Sequence, residues 1–160
     1  MTNNYRIVAQ NRKASYEYFI EEEYEAGLVL RGDEVKSIRS SRVNIQDAHV
    51  ELGGDNELYI LNFNIAPYKM ASAFSRHDPN RKKKLLLHRK EIDRIGGRIK
   101  LRGLTCIPLV LYFDRRNIAK IKIALAKGKK LYDKREALKE KEIKREELRM
   151  TKNLNSSFRD

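Results

Sequence analysis

The chain has 160 residues, 41% of them hydrophobic and 36% charged, which is enough for one domain with a modest core and not for two. The net charge of +13 makes a polyanion the expected partner. A single cysteine, Cys106 in the apolar run LTCIPLVLYF, excludes an internal disulfide and reads as core. The opening MTNNYRIVAQNRKAS has no apolar signal core, and no apolar run approaches the roughly 20 residues of a membrane span. A cytoplasmic setting with no membrane partner is expected.

After a polar start, NRKASYEYFIEEEYEAGLVL begins with the basic cluster Asn11-Arg12-Lys13-Ala14 and then turns strand-like, its apolar end running from Ala26 to Leu30. In DEVKSIRSS, Val35 and Ile38 are three apart and Asp33 can cap an N-terminus, which predicts one or two turns of helix. VNIQDAHVEL and ELYILNFNI flank the turn-rich Gly53-Gly54-Asp55-Asn56. In the second arm Tyr59, Leu61, Phe63 and Ile65 alternate with Ile60, Asn62 and Asn64, so a β-hairpin with one strongly apolar face is expected. From Ala66 to Lys84 the chain is irregular and basic, and Leu85-Leu86-Leu87 reads as a short strand. HRKEIDRIGGRIK changes period: His88 begins a helix, Ile92, Ile95 and Ile99 share one face, and Gly96-Gly97 weakens the middle. LTCIPLVLYF is a buried strand with Pro108 at an edge or a bulge, and Asp114 to Asn117 is a turn. IAKIKIAL closes the body, with Ile121, Ile123 and Leu125 on one face and Lys120 and Lys122 about 7 Å apart on the other.

The sum is mostly β, at least five or six short strands with two or three short flanking helices. Hairpin links in so short a chain predict a small closed antiparallel β-barrel of oligonucleotide-binding type, with an open α+β sheet as the alternative. Residues 1–126 are expected to form this domain and 127–160 a basic C-terminal tail, whose 12 Lys/Arg and 7 Asp/Glu contribute +5 of the total charge. In the tail, Leu131, Leu138, Ile143 and Leu148 are spaced seven, five and five and make neither a stripe nor a coiled-coil seam. Glu136/Lys139, Glu140/Lys144, Glu142/Arg145 and Glu146/Arg149 are neighbours at helical spacing, each supporting a helix by only about 0.2–0.5 kcal/mol. Such a segment is expected to be disordered alone and helical along a polyanion.

Catalytic and metal signals are few. His49, His77 and His88 are far apart, one cysteine makes no C-x-x-C site, and the paired glycines lack the spacing of a phosphate loop. Glu21-Glu22-Glu23 raises a metal-dependent nuclease, but neighbours on a strand point to opposite faces, so the run reads as a solvated acidic edge. No catalytic residue, metal or cofactor is expected. Arg12 and Lys13 beside Tyr16 and Tyr18 suit phosphate contact with base stacking, although the tyrosines would equally cover a barrel end. Arg81 to Lys84 puts four basic residues in a row on an expected loop, where they can reach phosphates.

NRKA, YEAGLVLRGDEVKSIR, the N-I-A-P-Y segment, RKKKLLLH, PLVLYF and LAKGKKLYDKR occur in this order, and from Asn11 to about Arg149 the chain resembles the SsrA-binding protein (small protein B) family of bacterial trans-translation. The resemblance implies the barrel, binding to the tRNA-like domain of transfer-messenger RNA, and delivery of that RNA to stalled ribosomes. It places the tail as a helix in the decoding centre and empty messenger channel, against small-subunit rRNA. It implies no catalysis. Elongation factor Tu and alanyl-tRNA synthetase are reached only through the RNA, and the free protein is a monomer. Carried over by residue, the RNA surface comprises Glu25, Leu86 and Lys120, supported by Asn11, Arg12, Lys13 and Tyr16, and the decoding-centre motif comprises Gly128, Lys129, Lys130, Asp133, Lys134 and Arg135. Two positions depart from the family pattern: a glycine is common where this chain has Ser40-Ser41, and a histidine where it has Tyr16. An RNA-processing nuclease and a ribosomal-protein-like rRNA binder are the alternatives.

Overall fold

The computed structural model describes residues 5–70 and 78–157, the last six as backbone only; His77 lies outside them. Its contacts divide the chain into two units, Met1–Gly128 and Lys129–Asp160. The first opens with β1 (Arg6–Gln10), one helical turn α1 (Ala14–Glu17) and the long β2 (Tyr18–Leu28). Then come α2 (Gly32–Arg39), β3 (Val43–Asn44), β4 (His49–Leu52), β5 (Leu58–Leu61), β6 (Asn64–Ile65) and β7 (Lys83–Leu86). The unit closes with α3 (Arg89–Arg102), β8 (Thr105–Phe113) and β9 (Ala119–Gly128). The second unit holds α4 (Leu131–Ser157).

The protein is mostly β, and every strand pairing among the described residues is antiparallel. The main sheet runs β1-β8-β4-β5-β7-β2-β9, and β9 returns to β8, so six strands close a ring of pairings with β1 added outside it. Along its second edge β8 pairs with β4 at Cys106 and with β1 from Val110 to Phe113. The β8 register shifts between Pro108 and Val110, the bulge its proline requires because it has no ladder donor. Inside lie Ile38, Leu58, Ile60, Phe63, Leu85, Leu111, Ile121 and Ile123, all fully buried.

Several local expectations hold. The hairpin pairs His49 with Leu61 and Leu52 with Leu58. α3 starts at His88 and buries Ile92 and Ile95, with Ile99 packed beside them. Its Gly96 does not break it; a Cβ there would stand 3.0 Å from Leu52 Cδ2, so the glycine lets helix and hairpin approach. The first unit has three helices among the described residues, within the expected two or three, and α4 lies in the tail segment. Other expectations are corrected. The start is not merely polar, since β1 pairs with β8. Asp33 is not the cap of α2: Arg31 holds that position, and the Glu34 carboxylate accepts its backbone N–H at 2.7 Å. The hairpin's second arm does not present Tyr59, Leu61, Phe63 and Ile65 together. Leu58 and Ile60 are buried on one phase and Phe63 and Ile65 on the next, because Asn62 takes φ of 52° and reverses the faces.

α2 ends in a left-handed turn. Ser41 has φ of 56°, its N–H donates to Ile38 O, and Arg42 N–H donates to Ser37 O, the paired bonds of a Schellman motif. Ser41 therefore occupies the position where a glycine fits best. In α4 none of the four acid–base pairs at helical spacing closes into an ion pair; exposed pairs worth a few tenths of a kcal/mol do not lock two long side chains.

Candidate nucleic-acid interface

Directly opposed residues of antiparallel strands share a face, so the register assembles a surface from remote segments. Leu86 on β7 opposes Gly27 on β2, Gly27 opposes Lys120 on β9, Lys120 opposes Tyr112 on β8, and Tyr112 opposes Ile7 on β1. The adjacent row runs from Glu25 through Lys122 and Val110 to Gln10. Gly27 leaves room for Leu86, whose Cβ would lie 3.3 Å from an added Cβ. Leu86 and Ile7 are each 52% exposed, so this face of the ring carries apolar as well as charged groups.

At its centre Glu25 accepts from Lys120 Nζ at 2.6 Å and from the Tyr112 hydroxyl, and Asp114 lies 3.8 Å from the same ammonium. Hydrogen bonds from Lys120 first and Tyr112 second hold the Glu25 carboxyl below its ordinary range, and the Glu25 hydrogen bond holds the Lys120 ammonium above its own. Lys120 is thus a paired cation, whereas Lys122 beside it is exposed. The two rows line a cleft of about 510 Å³.

The structure brings Glu25, Leu86 and Lys120 onto this one face; the remaining expected residues sit elsewhere. Asn11 is buried: its amide donates to Pro108 O at 3.2 Å, its N–H donates to Leu109 O, and its side-chain oxygen accepts from Lys13 N–H. It shapes the turn into α1. Arg12 and Lys13 are exposed on that turn, and Arg12 lines a second groove between β1 and residues 43–46. Tyr16 is half-buried in α1. In the second unit, Asp133 accepts from Lys130 N–H at 3.2 Å in the first turn of α4, a position that also favours its negative charge, so it caps the helix.

The basic run Arg81–Lys84 is corrected most. Lys83 and Lys84 belong to β7, and Lys83 is fully buried. Its ammonium donates to the carbonyls of Phe63 at 2.8 Å and Pro79 at 3.1 Å, and burial pushes its pKa down to about 8. Arg81 grips the buried Glu34 with Nε at 3.2 Å and Nη2 at 2.7 Å. Lys82 stays exposed, its ammonium 4.7 Å from the centre of the Tyr59 ring. The acidic run is corrected too. β2 bulges between Ile20 and Glu22, which suspends the alternation of faces, and Arg98 of α3 reaches both Glu21 at 3.4 Å and Glu22 at 2.9 Å, with Arg94 also on Glu22. Glu21 and Glu22 thus fasten α3, while Glu21 and Glu23 remain exposed as the expected acidic edge. Among the described residues no three His, Cys, Asp or Glu gather as a metal site, and no helix is long and apolar enough to cross a membrane.

Tyr112, Tyr5, Gln10 and Asp114 were missed from the sequence. A signal existed for Tyr112: the Asp114–Asn117 turn pairs Phe113 with Ala119 and so Tyr112 with Lys120. For Tyr5 and Gln10 none existed, because their place depends on β1 joining β8.

A family model described as SmpB protein matches residues 8–153. The SsrA-binding protein of Wolbachia sp. subsp. Drosophila simulans (strain wRi) is 51% identical over 147 residues, 92% of this chain and 97% of that protein. The SsrA-binding protein of Orientia tsutsugamushi (strain Ikeda) is 49% identical over 153 residues, 96% and 99% of the two chains. A solved chain described as "tmRNA-SmpB: a journey to the center of the bacterial ribosome" is similar with a TM-score of 0.65 at 44% identity, covering 81% of this chain and 93% of that one. On the motifs, the matched length and the shared fold, the chain belongs to the SmpB protein family.

Proposed function

We propose that the protein is an RNA-binding adaptor of trans-translation in the cytoplasm. Residues 1–126 bind the tRNA-like domain of transfer-messenger RNA, and residues 127–160 carry the basic segment into the decoding centre and empty messenger channel of a stalled ribosome, helical against its rRNA. The six-stranded ring is read as a barrel of oligonucleotide-binding type. The free protein is a monomer, and elongation factor Tu and alanyl-tRNA synthetase act on the RNA rather than on this chain.

The observation that carries the reading is the register-built face. Glu25, Leu86 and Lys120 come from three strands and lie on adjoining rows of one surface, in a chain of net charge +13. A carboxylate there suits RNA, since it accepts from ribose hydroxyls or base amines. In the tail, Lys134 and Arg135 follow the Asp133 cap and supply charge without a core to serve. The RNA that copurifies with the protein tests the proposal. Transfer-messenger RNA enriched over ribosomal RNA is expected; uniform association with all ribosomes, or cleavage of a structured RNA in Mg²⁺, overturns it. Lys134→Ala/Arg135→Ala, with the Asp133 cap intact, is expected to bind the free RNA normally and to lose tagging on stalled ribosomes. Normal tagging would remove the decoding-centre role.

A further inference from the structure

At the end of the ring beside α2, cations gather without a counter-charge. Arg6 opposes Phe113 and belongs to the row next to Ile7 and Tyr112, so its side chain lies on the other side of the sheet from the cleft. It reaches the C-terminal end of α2, where its Nη2 donates to the Arg39 carbonyl. Both arginines sit over one ring: the Arg6 guanidinium is 5.6 Å and the Arg39 guanidinium 5.9 Å from the centre of Phe113, which is 3% exposed. Lys36, one turn back on α2, rests in the same way 5.5 Å from the centre of the Tyr68 ring. Arg6, Lys36 and Arg39 are exposed, and among the described residues no carboxylate lies in ion-pair reach of any of them. The carbonyl end of a helix offers roughly half a negative charge, too little to balance the three. Donors exceed acceptors here as well. Nη1 of Arg42, whose N–H closes the same helix end, is buried without a hydrogen-bond partner among the described residues.

We propose that Arg6 and Arg39 form a second, separate seat on the first unit, which takes phosphate oxygens of the bound RNA's backbone and no base. The inference rests on the RNA-binding reading above and adds a contact at the end of the ring. A guanidinium laid against a ring is held in a fixed plane, and its fork of N–H donors fits two oxygens of one phosphate. Arg6 uses one donor on the Arg39 carbonyl, and the Arg39 guanidinium makes no hydrogen bond among the described residues. Phe113 is covered, so no base can stack on it and the seat carries no sequence preference. β1 stands outside the ring, with Ile7 on the outer face and Arg6 on the other, so one RNA passing over this strand meets both sides.

The probe is a transcript of the tRNA-like domain of transfer-messenger RNA, bound by the full chain across a salt series. Arg6→Gln and Arg39→Gln are each expected to weaken binding by roughly threefold to tenfold and to reduce the salt slope by about 0.7–0.9, and the double variant to reduce it by about twice that. Arg6→Gln keeps a donor for the Arg39 carbonyl, so its melting temperature is expected to hold. Arg102→Gln, exposed at the end of α3, is the comparison and is expected to change neither affinity nor slope. Arg6→Lys is expected to keep the slope and lose affinity, because a point charge replaces the fork. Hydroxyl-radical footprinting is expected to show backbone protections that the double variant loses. Inorganic phosphate at matched ionic strength is expected not to displace the transcript. Wild-type affinity and slope in both Gln variants, an equal effect in Arg102→Gln, or displacement by inorganic phosphate overturns the seat while leaving RNA binding intact. Where Arg39→Gln fails to fold, Arg6→Gln alone decides. Failure of the unaltered chain to bind the transcript overturns the adaptor reading itself.

Discussion

In the first unit, Glu34 lies in the interior and grips Arg81 with both oxygens, and Glu21 and Glu22 tie α3 to β2 through Arg94 and Arg98. In α4, acids and bases stand at helical spacing with similar density, and no pair among them closes. The residue types are the same; the surroundings differ. Around Glu34 a packed core fixes the side chains and excludes water, so that pair is costly to break, whereas Glu21 and Glu22 are held by two arginines of one helix at a partly exposed surface. On an exposed helix, water and side-chain entropy offset nearly all of the attraction. Charges in the first unit therefore build structure, and those of α4 remain available to an outside polyanion. In the first unit, a basic residue is a candidate phosphate contact only when its partners have been counted: Arg81, Lys83 and the Glu25-paired Lys120 fail that test, and Lys122 passes it.

The contrast is most exposed to test at Glu34. Glu34→Ala strips Arg81 of its partner and is expected to cost about 3 kcal/mol in urea unfolding, whereas Glu142→Ala in α4 is expected to stay within about 0.5 kcal/mol. Equal effects would mean that burial does not distinguish the two units.

Lys83 gives a pH signature. Its folded-state pKa, pushed down to about 8, lies below the ordinary 10.5, so above pH 8 the unfolded chain binds the proton that the folded chain has released. Stability from this group therefore rises with pH above about 8, by at most about 1.4 kcal/mol per pH unit. The clean window is pH 8 to 9, because above that Cys106, pushed up to about 12 by burial, works in the opposite direction. The unfolding free energy of the wild type is expected to rise relative to that of Lys83→Met across this window. A constant difference between the two would refute the titration.

Ser41→Gly tests the backbone rather than the charges. At φ of 56° a serine carries left-handed strain that glycine lacks, and the change is expected to stabilise the first unit by about 1 kcal/mol, read as a raised melting temperature. The smallest effect on the first unit is expected from Leu138→Pro. It disfavours the interior of α4 by roughly 3 kcal/mol and should lower the helical circular dichroism signal, yet leave the unfolding of Met1–Gly128 unchanged. A shifted transition in the first unit would show that the two units are energetically coupled.

Local features are legible along the chain. The hairpin around Gly53–Asn56, the helix begun at His88, the bulge at Pro108 and the alternation of Ile121, Ile123 and Leu125 each follow from turn chemistry, a missing N–H or a period, all carried by neighbouring residues. The motif order was equally legible and already pointed to the family. Long-range packing sets which charges are buried, since Glu34 needs Arg81 and Lys83 needs the carbonyls of Phe63 and Pro79. It also decided the phase of the arm after Leu58, reversed by one backbone torsion at Asn62. The candidate site divides the same way. Glu25, Leu86 and Lys120 could be named from motifs, but their common face, and the places of Tyr5, Gln10 and Tyr112 on it, come from strand register, which no single segment contains.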